Sequence, residues 1–155
     1  MTVSIAKSTT AVTTPSTLLI PEGATSAEFS VRGADITAQA TCDITVTSGA
    51  FSLKKTTTVK PCIVTSFTLN PTTIAAGQES TATVTLPAEV TVSTYVDVTF
   101  SVEGVATAPA RVKIAAGASS ATFKVTGAAV TLTSKTNVIV SRAGASKYVR
   151  LTVTP

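Results

Sequence analysis

Along the stretch YVDVTFSV every second residue is apolar: Val96, Val98, Phe100 and Val102. The same alternation returns at Phe123 and Val125, and again at Val138 and Val140. A period of two is that of a strand with one buried face, because successive side chains point to opposite sides of the backbone. Apolar residues at helical spacing are absent throughout. The pattern predicts strands over 63–69, 80–86, 95–102, 110–115, 121–126, 136–142 and 147–154. Turn signals separate them: Asn70-Pro71, Gly77, Pro87, Gly104, Gly117, Gly127 and Gly144. Seven short strands at this spacing indicate a two-sheet sandwich of roughly 100 residues. Val98, Phe100, Val102, Phe123, Val125, Val138 and Val140 are its expected core. Five further strands are predicted upstream, over 2–7, 17–20, 27–31, 41–47 and 52–59.

The two sets are copies of one unit. Gly23 and Gly117 lie 94 positions apart, and at that offset GATSAEFSVRGA (23–34) falls on GASSATFKVTGA (117–128). Pro15 falls on Pro109, Ile20 on Ile114, Val46 on Val140, Val59 on Val153 and Pro61 on Pro155. A one-residue shift near residue 11 is expected to bring Val3 and Ile5 onto Val98 and Phe100. Residues 62–155 then form a complete seven-stranded repeat, and 1–61 a partial one made of its last five strands. The expected fold is all-β: tandem β-sandwiches, the first lacking its two N-terminal strands. In that first copy the inner face carrying Leu18, Ile20, Phe29 and Val31 is expected to be partly uncovered. A strand edge there is expected to be open, the kind of edge that pairs with another chain.

The segments TLNPTTIAAGQESTATVTL, PARVKIAAGASSATFKV and the closing RLTVTP resemble bacterial immunoglobulin-like repeats of large secreted and cell-surface proteins. The first copy carries the later parts as PSTLLIPEGATSAEFSV and TTTVKP. The resemblance implies an immunoglobulin-like sandwich that acts as a spacer, stalk or adhesive module, with no shared catalytic residues. Similar modules also decorate phage particles. Sandwich folds host many functions, so the resemblance carries more weight for fold than for role.

Composition agrees with strands and narrows the chemistry. Charged residues are 13% of the chain, about half the usual share. The net charge of +4 is spread out: residues 1–61 hold five basic and four acidic groups, and 62–155 hold seven and four. With no basic run and few aromatics, nucleic acid is not an expected partner. No apolar run approaches the roughly 20 residues of a membrane helix. No signal-peptide core is present either; Met1, the only Met, reads as an initiator, natural or engineered, and opens either a protein that uses no secretion signal or a fragment of a longer exported chain. The expected location is extracellular or on a cell surface, with a virion surface as a variant. The expected partners are proteins: other copies of the chain or neighbouring repeats of a longer one.

Catalytic chemistry finds no footing. The chain contains no His, which rules out Ser-His-Asp and Cys-His arrangements. Ser4/Lys7 and Ser52/Lys55 have S-x-x-K spacing, but on a strand residues three apart face opposite ways. The eight carboxylates include no neighbouring pair, no calcium loop and no phosphate loop, so no cofactor or metal is expected. An adhesive or carbohydrate-binding role is the alternative, with Tyr95 and Tyr148 as its only tyrosines and no Trp beside them. The cysteines leave two readings. Cys42 is in phase with Ile44 and Val46, so its thiol faces the core, opposite Thr57 or Val59 of the following strand. Cys62 then lies roughly 10–16 Å further on if the chain stays extended, and a bridge needs Cα atoms within about 7 Å. Either the chain bends back at Pro61 and Cys42 joins Cys62, or Cys42 is a buried, inert thiol.

Overall fold

The computed structural model describes all 155 residues, and the chain is built from strands alone. It divides into two compact units, Met1–Pro61 and Cys62–Pro155. The first holds β1 (Thr2–Lys7), β2 (Val12–Thr13), β3 (Thr17–Leu19), β4 (Arg32–Gly33), β5 (Ala40–Ser48) and β6 (Phe51–Val59). The second holds β7 (Ser66–Asn70), β8 (Thr73–Ala75), β9 (Glu79–Thr85), β10 (Thr94–Phe100) and β11 (Ala106–Thr107). It continues with β12 (Arg111–Ile114), β13 (Ser120–Gly127), β14 (Ser134–Arg142) and β15 (Ala145–Thr154).

The second unit is a closed sandwich. One sheet runs β12-β10-β14-β15-β8 and the other β11-β13-β9-β7. All ladders are antiparallel except β8 against the end of β15. Alternation sends Val96, Val98, Val138, Val140, Leu151 and Val153 inward from the first sheet. They meet Phe67, Leu69, Ala82, Val84, Phe123 and Val125 from the second, all buried. Phe67 and Phe123 stack with ring centroids 6.2 Å apart. Val102 departs from the expected core: it lies beyond the end of β10 and is exposed, because the chain leaves the sheet at Ser101. In its place the Thr136 hydroxyl, buried on β14, donates to Val102 O and accepts from Val102 N, pinning the loop at the sheet's end.

The first unit repeats this plan as far as its strands allow. Its main sheet, β3-β1-β5-β6, matches β12-β10-β14-β15. Ala40 lies opposite Val59, as Ser134 lies opposite Val153. Val12 lies opposite Gly33, as Ala106 lies opposite Gly127. These pairs keep the 94-residue offset. β1 does not: Ile5 opposite Val46 matches Val98 opposite Val140, so Ile5 stands for Val98 and Val3 for Val96. The shift near residue 11 is therefore in the opposite sense to that expected, and the connection after β1 is one residue shorter than that after β10. The expected inward face survives, because the two alignments differ by two residues, one full strand period.

The strand expected over 27–31 is not formed. Its counterpart, 121–125, is a strand because β13 pairs along β9 from Ser120–Thr85 to Thr126–Glu79. Residues 1–61 contain no counterpart of β9. Only the two-residue β2–β4 ladder remains of the second sheet, where β4 meets β2 as β13 meets β11. Alternation alone makes a chain amphipathic; a strand also needs a neighbour for its backbone groups.

The buried Phe123 ring identifies a test of the second unit's core. Phe123→Ala is expected to lower its stability by about 3–5 kcal/mol, through lost burial and the cavity left beside Phe67. Denaturant unfolding measures it, and a loss below about 1 kcal/mol would remove Phe123 from the core.

Candidate interaction face of the first unit

The inner face of the first unit is laid out by ladder register. Opposite residues of antiparallel strands share a face. One row joins Val3 to Leu18, and the next joins Ile5, Val46 and Leu53. Ile5, Val12, Cys42 and Ile44 are buried, with Leu18, Phe29, Val46 and Val59 packed partly against them. The outer face of the same sheet carries Ser4, Thr45, Thr47, Ser52, Lys54 and Thr56; on the inner face a third row, Lys7, Ile44 and Lys55, sets two lysines beside the apolar residues.

Of the residues expected on an uncovered inner face, Leu18, Ile20 and Phe29 are half-buried, and Val31 is 42% exposed. Their counterparts Val112, Ile114, Phe123 and Val125 are all buried, Val125 to 0% exposure. In the second unit β9 pairs along β13, which carries Phe123 and Val125, and β13 lies against β12, which carries Val112 and Ile114; residues 1–61 hold no counterpart of β9. Gly33 carries a second mark of the same kind. At its counterpart Gly127 a Cβ would stand 2.9 Å from Ala75 O, and the two glycines' neighbours differ accordingly. Gly127 exchanges backbone hydrogen bonds with Gln78 and Gly77. Around Gly33 a Cβ would meet only the Val59 side chain, at 3.2 Å.

Cys42 and Cys62 are both free thiols, the first buried and the second half-buried. Cys42 stands opposite Thr57 on β6. It occupies the position of Thr136 and makes the same kind of contact to the loop after the sheet's first strand. Its thiol points at Thr9 O at 3.9 Å, and the Ser8 hydroxyl points at its sulfur at 4.0 Å. Hydrogen bonding by Thr9, opposed by burial, holds the thiol below its ordinary range. Beside it Asp43 accepts from Thr56 Oγ1 at 2.6 Å and pairs with Lys54 Nζ at 2.6 Å. The Lys54 ammonium, then the Thr56 hydroxyl, keep the Asp43 carboxyl below the usual carboxylate range.

Elsewhere the side chains offer little chemistry. The pairs Ser4/Lys7 and Ser52/Lys55 sit on β1 and β6, with their members on opposite faces. No group of three or more His, Cys, Asp or Glu comes close enough to share a metal ion. Ser101, Lys135, Thr136, Asn137 and Arg150 line a shallow polar hollow of about 360 Å³ on the second unit. Tyr95 and Tyr148 are exposed on β10 and β15, outside that hollow.

Comparison with known proteins agrees with this geometry at the level of fold. The chain is similar to the adhesin InvE of Yersinia pseudotuberculosis, with a TM-score of 0.53 and 15% identity. That match covers 97% of this chain and 48% of InvE, so the chain spans about half of that protein. It also matches the D0-D1 domain of intimin, with 14% identity and a TM-score of 0.49, over 99% of this chain and 81% of the other. A third match is to domains 4 and 5 of the S-layer protein SbsC, with 23% identity and a TM-score of 0.44, over 75% and 66%. No family model and no curated protein matches the sequence. The chain has the fold of immunoglobulin-like repeats of bacterial surface proteins.

Two measurements follow from these side chains. Thiol titration under denaturing, non-reducing conditions is expected to return two free thiols per chain; a reducible dimer on a gel would instead make Cys62 a contact between chains. Asp43 has a lowered folded-state pKa, so its stabilising contribution is present above the ordinary value of 3.8 and is lost as pH falls through the lower folded value. Asp43→Asn is expected to remove that part of the acid limb of unfolding. The effect is small because Lys54 is largely exposed and the pair is screened by solvent.

Proposed function

We propose that this chain is a non-catalytic structural module of an extracellular or surface assembly, such as a stalk, filament, sheath or virion decoration. Its first unit is completed by strand pairing with another polypeptide. Residues 62–155 serve as a self-sufficient sandwich module, and residues 1–61 as the contact-making one. The observation that carries this reading is the segment 26–32. It corresponds to the β13 residues that pair with β9, yet makes no ladder of its own beyond β4. The more exposed Val31, half-buried Phe29 and Ile20, and the glycine kept at position 33 lend support. A large apolar side chain gains about 1.5–3 kcal/mol when fully buried, so covering this face would drive association. Backbone groups left without partners favour the same outcome, as in other β-augmentation complexes. The likeness to adhesin and S-layer domains supports a surface setting through shared fold, and low charge without catalytic groupings supports a passive role.

Hydrogen exchange on a verified monomer tests the reading. Fast exchange at Phe29 and Val31 is expected, slowing on assembly, with 62–155 protected in both states. Strong protection of those two amides in the monomer would mean that the first unit closes by itself.

A further inference from the structure

The far end of the β5–β6 hairpin departs from the repeat. Leu53 lies opposite Val46, and Phe51 lies opposite Ser48. Both therefore belong to the inner face, in line with Ile5 and Val46. Yet Phe51 is 83% exposed and Leu53 79%. Their counterparts at the 94-residue offset are Ala145 and Lys147, a small residue and a charged one. A face that merely awaited the repeat's own missing strands has no use for two large apolar side chains here. The strands that cover the second unit leave Lys147 exposed at the matching place.

The chemistry at this end of the two units is also different. In the second, the buried Arg142 guanidinium donates to Thr94 Oγ1, at 2.9 Å from Nη2, and to Cys62 O. It thereby fixes the backbone of the segment that goes on to form β7 and β9. Arg142 corresponds to Ser48. Thr94 corresponds to Met1, since Thr2 opposite Leu19 matches Tyr95 opposite Lys113. Met1 is tied to the sheet by its amine, which donates to Ile20 O at 2.8 Å, and by Ile20 N, which donates to Met1 O. The Ser48 hydroxyl faces Met1 Sδ at 3.5 Å. A polar clamp for a passing carbonyl has thus been replaced by a thioether and two exposed apolar side chains.

We infer that the strand partner of the first unit is a segment of another polypeptide that pairs along 26–32 and seats a large apolar side chain on Met1, Phe51 and Leu53. A segment of the repeat's own 62–86 type would make the first contact and not the second. The inference rests on the strand-pairing reading of the first unit and adds the chemistry of what pairs there. The glycine at 33 sets the other end of the path: at its counterpart Gly127 a backbone passes close, with Ala75 O 2.9 Å from a Cβ built there. Apolar anchors flanking a run of main-chain hydrogen bonds are how an added strand gains specificity.

Two labelled synthetic peptides test it against the full chain by fluorescence anisotropy. One has the sequence of residues 62–86 with Cys62→Ser; the other is the same peptide preceded by Leu-Trp-Leu. The extended peptide is expected to bind about tenfold tighter or better, equivalent to about 1.4 kcal/mol. The double variant Phe51→Lys/Leu53→Lys is expected to abolish that gain while leaving the shorter peptide's affinity and the melting midpoint unchanged. Equal affinities for the two peptides, or a gain that survives the double variant, would overturn the inference and leave strand pairing intact. Failure of both peptides to bind also overturns it. Amide exchange at Phe29 and Val31 then decides the wider reading separately: rapid exchange in the monomer keeps it, and protection removes it.

Discussion

Everything in this protein depends on covering the inner face of one twisted antiparallel sheet. The sheet built from β1, β3, β5 and β6, and its counterpart built from β10, β12, β14 and β15, carry most of their apolar residues inside, with Lys7 and Lys55 as exceptions in the first. Such a sheet is stable only when a second layer removes the apolar side from water. In the second unit β7, β9 and β13 supply that layer, and the side chains of Val125, Val138, Val140, Leu151 and Val153 are fully buried as a result. In the first unit the layer shrinks to the two-residue β2–β4 ladder plus the Phe29 region.

The dependence runs through backbone hydrogen bonding as well as burial. β13 is a strand because β9 lies beside it; the equivalent 26–32 has the same alternation, with Ala27, Phe29 and Val31 in phase, and forms no ladder before Arg32. The contrast separates two requirements that usually coincide, amphipathic patterning and an available neighbour. Along this segment the first unit leaves apolar side chains more exposed than the second does. Its least buried apolar residues sit beside its least paired backbone, and Phe51 and Leu53 extend the same face.

Substitutions between the repeats show which positions the sandwich constrains. Thr136 and Cys42 differ chemically and yet both reach back to the loop after the first sheet strand, so the position requires a small group able to hydrogen-bond there. Gly127 and Gly33 are kept where a backbone approaches in one unit. Arg142 and Ser48, or Lys147 and Leu53, diverge at the hairpin end of the sheet, where in the second unit the Arg142 guanidinium holds Cys62 O.

Much of this was legible in the sequence. Period-two alternation located the longer strands, and the 94-residue repeat related the two units. Together they marked Leu18, Ile20, Phe29 and Val31, which are half-buried or exposed where Val112, Ile114, Phe123 and Val125 are buried. Alternation has a blind spot of two residues, which is why the offset of β1 was misjudged while its buried face was right. It is also silent for β2, β4, β8 and β11, whose two or three residues are too short to display a period. Only the tertiary structure decided that 27–31 is no strand, that Val102 leaves the core, and that both cysteines are free. The same holds for the exposure of Phe51 and Leu53, because register across β5 and β6 assigns them to the inner face. Side-chain pattern is a property of one segment and can be read along it. Pairing and burial are properties of two segments, and they exist only once a neighbour has arrived.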